Sequence, residues 1–147
     1  MKKILVLYYS RTGNTEKMAN AVAQGAQIND DIIVETSYHV EPAEVISFDA
    51  IIVGAPTYHH DMPVDFKNLF EELAVLGISL KGKIGAAFGS YGWSGEAPKL
   101  ILEIMKNKFE MQVHEAPLLA NYDPNERLLA SCREMGKRIS ESLMNRA

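Results

Sequence analysis

Three short segments hold the residue types that could do chemistry: Ser10-Arg11-Thr12-Gly13-Asn14-Thr15, Ala55-Pro56-Thr57-Tyr58-His59-His60-Asp61 and Ser90-Tyr91-Gly92-Trp93-Ser94-Gly95. The first follows the apolar run Ile4–Tyr9 and leads straight into a helical pattern. Hydroxyls, an amide and a glycine in that place can wrap a phosphate, because backbone N–H groups converge there and the positive end of the helix faces the anion. The segment has no lysine, so it is not a GxxxxGK[ST] loop, and it lacks the three spaced glycines of a dinucleotide fingerprint. A site of hydroxyls and backbone suits a monophosphate held permanently, as on a bound cofactor. The same residues also make an ordinary helix start, where Ser, Thr and Asn are common. The second segment adds a hydroxyl and an aromatic. The third holds the single tryptophan of the chain, set among glycines where no core needs it. A large ring on such a loop either meets a flat partner or folds back over a helix end.

The elements that must position these segments alternate. Residues 2–9 are almost continuously apolar, and from Thr15 to about Ile28 the residues Met18, Ala19, Val22, Ala23 and Ala26 recur at helical spacing. A β-branched second strand spans 32–38, a short turn or helix lies around Pro42–Ile46, and a third strand runs from Asp49 to Gly54. Phe66, Leu69, Phe70, Leu73 and Leu76 mark a helix closed by Gly77; Lys83–Gly89 reads as a fourth strand. Leu100, Ile101, Ile104 and Met105 mark another helix, and a weak strand near 110–119 precedes a long helix over about 125–144. Strands apolar on both faces imply a parallel sheet covered on both sides, and the alternation implies right-handed crossovers. The expectation is one domain over 1–147, a three-layer, doubly wound α/β fold with five strands. The loops after strands one, three and four then share the carboxyl edge of the sheet, where ligands of such folds sit.

Composition narrows the function. The chain has 147 residues, 47% of them hydrophobic, enough for one full core, and a net charge of −4 with scattered Lys and Arg, which argues against nucleic acid. No apolar stretch is long enough for a membrane span. Met-Lys-Lys resembles the basic start of a signal peptide, but the apolar run behind it is too short, so a cytoplasmic protein is expected. The lone Cys132 falls on the helical stripe of Leu128, Met135, Ile139 and Leu143, which suits a buried structural thiol. His39, His59, His60 and His114 form no HxxxH or HExxH pair, and no metal site is expected.

A phosphate cradle joined by two aromatic-bearing loops describes a site for a flat ring on a phosphorylated tail, and flavin mononucleotide (FMN) fits that description best. Ser10–Thr15, Ala55-Pro56-Thr57-Tyr58 and Phe88-Gly89-Ser90-Tyr91-Gly92-Trp93-Ser94-Gly95 resemble the three FMN loops of flavodoxins. The resemblance covers essentially the whole chain. The Phe-Gly-Ser-Tyr-Gly-Trp stretch, with Pro-Thr-Tyr and Asp61-Met62-Pro63 ahead of Phe66-Lys67, is most similar to the flavodoxin-like domain of flavodiiron (A-type) flavoproteins. The strand order 2-1-3-4-5 comes with this resemblance and not from pattern. There is no room in these residues for the flavodiiron metal domain or for the insertion of long-chain flavodoxins.

The resemblance implies that Ser10, Thr12, Asn14 and Thr15 donate to the FMN phosphate with the backbone around Gly13, while Arg11 offers its N–H and points its side chain outward. Pro56 and Thr57 lie along the phosphate or ribityl chain. Tyr58 and Trp93 take the two faces of the flavin, with Tyr91 as substitute, and His59, Ser90, Gly92, Ser94 and Gly95 complete the contact. Electron-rich rings and a lack of cations near the flavin would both disfavour its fully reduced anion. His59 stands where many flavodoxins have glycine, and a flip of that peptide to positive φ is harder for histidine. The acids Asp61, Asp65, Glu71, Glu72 and Glu96 read as a solvated face. The implied function is a monomeric one-electron shuttle with no catalytic residues of its own, taking electrons from a reductase or ferredoxin-like donor and passing them to an acceptor enzyme. The alternatives are an FMN-dependent NAD(P)H:quinone or flavin reductase of the same fold, and a non-redox receiver-type module, which would need acids where Ser10 and Thr12 stand.

Overall fold

The computed structural model describes residues 1–92, 94–114 and 116–146. Strands β1 (Lys2–Tyr8), β2 (Ile32–Ser37), β3 (Ala50–Gly54), β4 (Ile84–Tyr91), β5 (Gln112–Val113) and β6 (Leu118–Asn121) alternate with helices α1 (Asn14–Ala26), α2 (Val64–Val75), α3 (Glu96–Asn107) and α4 (Glu126–Met144). A 3₁₀ turn, Pro42–Ser47, links β2 to β3. Every pairing is parallel, in the order β2-β1-β3-β4-β5, with β6 also on β4.

Alternation along each strand divides the core. Ile4, Val6, Ala50, Ile52, Ala86 and Phe88 face α1 and α4, where Met18, Val22, Cys132, Met135, Ile139 and Leu143 complete one cluster. Leu5, Leu7, Ile51 and Val53 face α2 and α3 and pack with Phe66, Phe70, Leu73, Ile101 and Met105. Burial on both sides is what the continuous apolar strands required. Cys132 lies fully inside, and burial pushes its thiol up to about 11.

The weak fifth strand is two pieces. β5 pairs with Ile84 and Gly85, and β6 pairs with Phe88–Tyr91, so both occupy one sheet position on β4. Pro117, which has no N–H for the ladder, lies in the interruption. On the other face α1 and α4 nearly touch: a Cβ on Gly136 would lie 2.1 Å from the Val22 carbonyl oxygen, and one on Gly25 would lie 1.8 Å from that of Arg133.

Candidate cofactor site at the carboxyl edge of the sheet

The segment between β1 and α1 is a helix start capped from outside. Gly13 takes φ 93°, and the Ser10 hydroxyl oxygen accepts from the N–H groups of Gly13 (3.1 Å) and Glu16 (3.2 Å). The Ser10 hydroxyl proton remains to donate. Among the described residues the N–H groups of Arg11, Thr12, Asn14 and Thr15 find no acceptor, and nothing lies within 4 Å of where a Gly13 Cβ would stand. Four free donors around an open glycine at a helix N-terminus form a cradle whose chemistry fits a phosphate.

The three loops are bound to one another by side chains that sequence spacing could not pair. Thr15, 1% exposed, and Ser90, 8% exposed, share a hydroxyl–hydroxyl bond of 2.9 Å. The Thr57 hydroxyl oxygen accepts from the Ala97 N–H at 3.0 Å, serving as a long-range cap for α3. His60 Nδ1 lies 3.2 Å from Glu96 Oε1 and 3.2 Å from Ser94 Oγ. The Ser94 hydroxyl and His60 hold the Glu96 carboxyl below the usual carboxylate range. At the sheet edge a Cβ on Gly89 would lie 1.9 Å from the Ala55 carbonyl oxygen, so only glycine lets β3 and β4 approach here.

Tyr58 is half-buried, and its hydroxyl, out of reach of solvent, meets no hydrogen-bonding geometry among the described residues. Tyr9 meets it edge-on, with ring centroids 6.2 Å apart. Burial raises the Tyr58 phenol, the Tyr9 hydroxyl adds to that, and the Arg11 charge pulls it back. The loop from Tyr58 to Asp61 closes as a tight hairpin through two backbone bonds of 2.9 Å, with His59 and His60 at φ 49° and 64°. Positive φ at both central residues is the signature of a type I′ turn, where Asn-Gly is the usual pair.

Three expectations are revised. His59 already sits at positive φ in the closed hairpin, and a flip of the Tyr58–His59 peptide would break the bond from the Asp61 N–H to the Tyr58 carbonyl. The Arg11 side chain, although exposed, does not simply point away: its guanidinium carbon lies 5.7 Å from the Tyr58 ring centroid. A flat cation gains from an aromatic face at that range. The acids are also less free than a solvated face implies, since Asp61 pairs with Lys67, which holds its carboxyl below the ordinary range.

Pro56 is half-buried beside Thr57, Asn14 is half-buried, and Thr12 is exposed at the cradle rim. Tyr91 lies against Gly95, where a Cβ would come 3.1 Å from its ring, and a Cβ on Gly92 would come 3.0 Å from the Tyr122 ring. Trp93 lies outside the described residues. Sequence reasoning missed Tyr122, and it missed the pair behind the cradle: Glu16 accepts from the hydroxyls of Tyr8 and Tyr38 at 3.0 Å each. Tyr8 shares the alternating face of Ile4 and Val6 that α1 covers, which was the available signal.

Fold and site together define a mononucleotide-binding α/β domain with its cradle at the switch between β1 and β3. Comparison with known proteins agrees. The Flavodoxin family model matches residues 6–136. The structure of a flavodoxin from the domain Archaea superposes with a TM-score of 0.87 at 36% identity, covering 97% of this chain and 99% of that one. Oxidised flavodoxin 1 from Bacillus cereus gives a TM-score of 0.84 at 25% identity, covering 99% of this chain and 100% of that one. Type A flavoprotein fprA of Rhodobacter capsulatus is 35% identical over 99% of this chain, which covers 34% of that protein. The chain spans about a quarter to a third of the length of the curated relatives it matches. It belongs to the flavodoxin family, whose members bind FMN and carry electrons, and it is an FMN-binding electron-transfer domain of that family.

Proposed function

We propose that FMN binds with its phosphate in the 10–15 cradle and its ring between the 56–60 and 90–95 loops, and that the domain works as a one-electron shuttle between redox proteins. The free N–H groups of Arg11, Thr12, Asn14 and Thr15 around Gly13 carry this reading. Hydroxyls of Ser10 and Thr12 add donors, and Thr15, held by Ser90, fixes the first turn of α1. Tyr58 offers an aromatic face whose hydroxyl end is already out of water. Bound FMN supplies two successive one-electron steps; the protein supplies position and electrostatics. Pro56, His59, Tyr91, Gly92, Trp93, Ser94 and Gly95 form the rest of the proposed contact.

The donor is a reductase or ferredoxin-like protein and the acceptor a redox enzyme; the domain turns over no substrate of its own. The proposed working unit is a single monomeric domain, and among the described residues no helix is long and apolar enough to cross a membrane. A fluorescence titration tests the reading: the protein quenches added FMN stoichiometrically and binds riboflavin, which lacks the phosphate, much more weakly. No quenching, or equal affinity for both, overturns the site. Steady NAD(P)H oxidation with a quinone and no added reductase would replace the shuttle with a reductase.

A further inference from the structure

Lys17 is paired with Asp123 at 2.8 Å, and Lys67 is paired with Asp61. Arg11 differs from both. Among the described residues no carboxylate lies within ion-pair distance of it, and its guanidinium rests instead over the Tyr58 ring, 5.7 Å from the centroid. Arg11 is thus a cation held against the ring proposed to face the flavin. Its backbone is fixed in the cradle loop, so the charge stays within one arginine side chain of whatever stacks on Tyr58.

We propose that Arg11 is a redox-tuning cation: its guanidinium, held at the Tyr58 face, favours the fully reduced flavin anion and raises the potential of the second electron step. This rests on the proposed FMN site and deepens it. In that step one electron arrives from an external reductant and no proton is added at the ring, so the bound flavin gains one negative charge. A cation nearby stabilises the product of that step more than the neutral form before it. The effect opposes the aromatic rings, which disfavour the anion. For a unit charge within about one side-chain length of the ring and an effective dielectric of roughly 20–40, removing that charge changes the preference for the anion about tenfold. Tenfold in a one-electron equilibrium is ~59 mV. Arg11 is exposed, so salt weakens its influence.

The experiment is an anaerobic titration with dithionite of FMN-loaded wild type, Arg11→Gln, Arg11→Lys and, as a surface control on α4, Lys137→Gln. Arg11→Gln keeps a planar polar end without the charge and is expected to lower the second potential by the amount given. Arg11→Lys restores most of it, Lys137→Gln leaves it in place, and 1 M salt shrinks the Arg11→Gln difference. A second readout needs no flavin. In an ultraviolet titration, the Tyr58 phenol, assigned with Tyr58→Phe, ionises at higher pH in Arg11→Gln than in wild type, because the charge that pulls it down is gone. Equal potentials in Arg11→Gln and wild type overturn the proposal. So does an Arg11→Gln protein that loses affinity for FMN but not riboflavin with its potential unmoved, since the side chain then grips the phosphate. Failure of the wild type to bind FMN sinks the underlying site instead, and the two failures are told apart by the quenching titration.

Discussion

The bond between Thr15 and Ser90 makes the most demanding claim about how the site is assembled. It joins the first turn of α1 to the end of β4, across 75 positions of sequence, at 2.9 Å and out of solvent. Ser90→Ala removes one hydroxyl and leaves the Thr15 hydroxyl without its side-chain partner, while Thr15 Oγ1 keeps the Ser90 N–H at 3.4 Å. That loss is expected to destabilise by about 1 kcal/mol, the low end for an orphaned buried polar group. Thr15→Val removes the hydroxyl pair and also the acceptor for the Ser90 N–H, so about 2 kcal/mol is expected on the same scale. If the two hydroxyls act on each other, the double variant loses about 2 kcal/mol and not the sum of about 3, a coupling of ~1 kcal/mol. Urea unfolding of the four proteins without FMN measures it, with equal m-values confirming comparable states. Strict additivity would refute the view that the phosphate loop and the aromatic loop are locked together by this pair.

Gly89→Ala is expected to abolish FMN quenching and to destabilise by ~1–3 kcal/mol or more, because its Cβ would collide with the Ala55 carbonyl oxygen; retained affinity would refute the close approach of β3 and β4. Gly136→Ala should lower the urea midpoint by a similar overpacking penalty and weaken FMN quenching less than Gly89→Ala, because the collision is with the Val22 carbonyl in the body of α1 and not with a loop; an unchanged midpoint would contradict the helix contact. Glu96, depressed in the folded state, contributes its share of loop clasping above the ordinary carboxylate pKa and loses it as pH falls through the folded value; FMN release on acidification should therefore be shallower in Glu96→Gln. Burial and the bonds to Tyr38 and Glu16 raise Tyr8, so its stabilisation is complete below the unfolded tyrosine pKa near ~10 and is lost as pH rises toward the folded value. Tyr8→Phe should accordingly unfold at higher pH than wild type in alkaline urea titrations.

What could be read from the sequence and what could not divide along the range of the interactions. Local patterns sufficed for β1, β3 and β4, since strands covered on both faces are apolar without interruption, and for α2 and α4, whose stripes at Phe66–Phe70–Leu73 and Cys132–Met135–Ile139–Leu143 repeat at helical spacing. The chemistry-bearing residues stood at the ends of those strands, so the three site loops were legible as well. β5 and β6 were not separable, because two and four residues carry too little periodicity and the break is set by pairing to different parts of β4. The left-handed His59-His60 turn ran against residue preference, and only closure of the Tyr58–Asp61 hairpin fixes it. The need for glycine at 25 and 136 is set by the contact between α1 and α4, which no local pattern reveals.

The same distinction explains why hydroxyls, and not apolar groups, dominate the site. A cradle that must leave donors free for a phosphate cannot be held by burying those donors, so its rigidity has to come from neighbours that use different atoms. Ser10 caps α1 with its oxygen and keeps its proton; Thr57 caps α3 from another loop with its oxygen; Thr15 anchors to Ser90 while its own N–H stays open. Each group spends one bonding direction on the scaffold and retains another for a ligand, which is the arrangement preorganisation requires. Tyr58 follows the same logic with its two ends: the hydroxyl is shielded within the protein, while the face carries Arg11, a residue of the phosphate loop. A charge that bridges phosphate loop and aromatic loop is thus a direct physical connection between the part of the site that holds the tail and the part that sets the electronics of the ring.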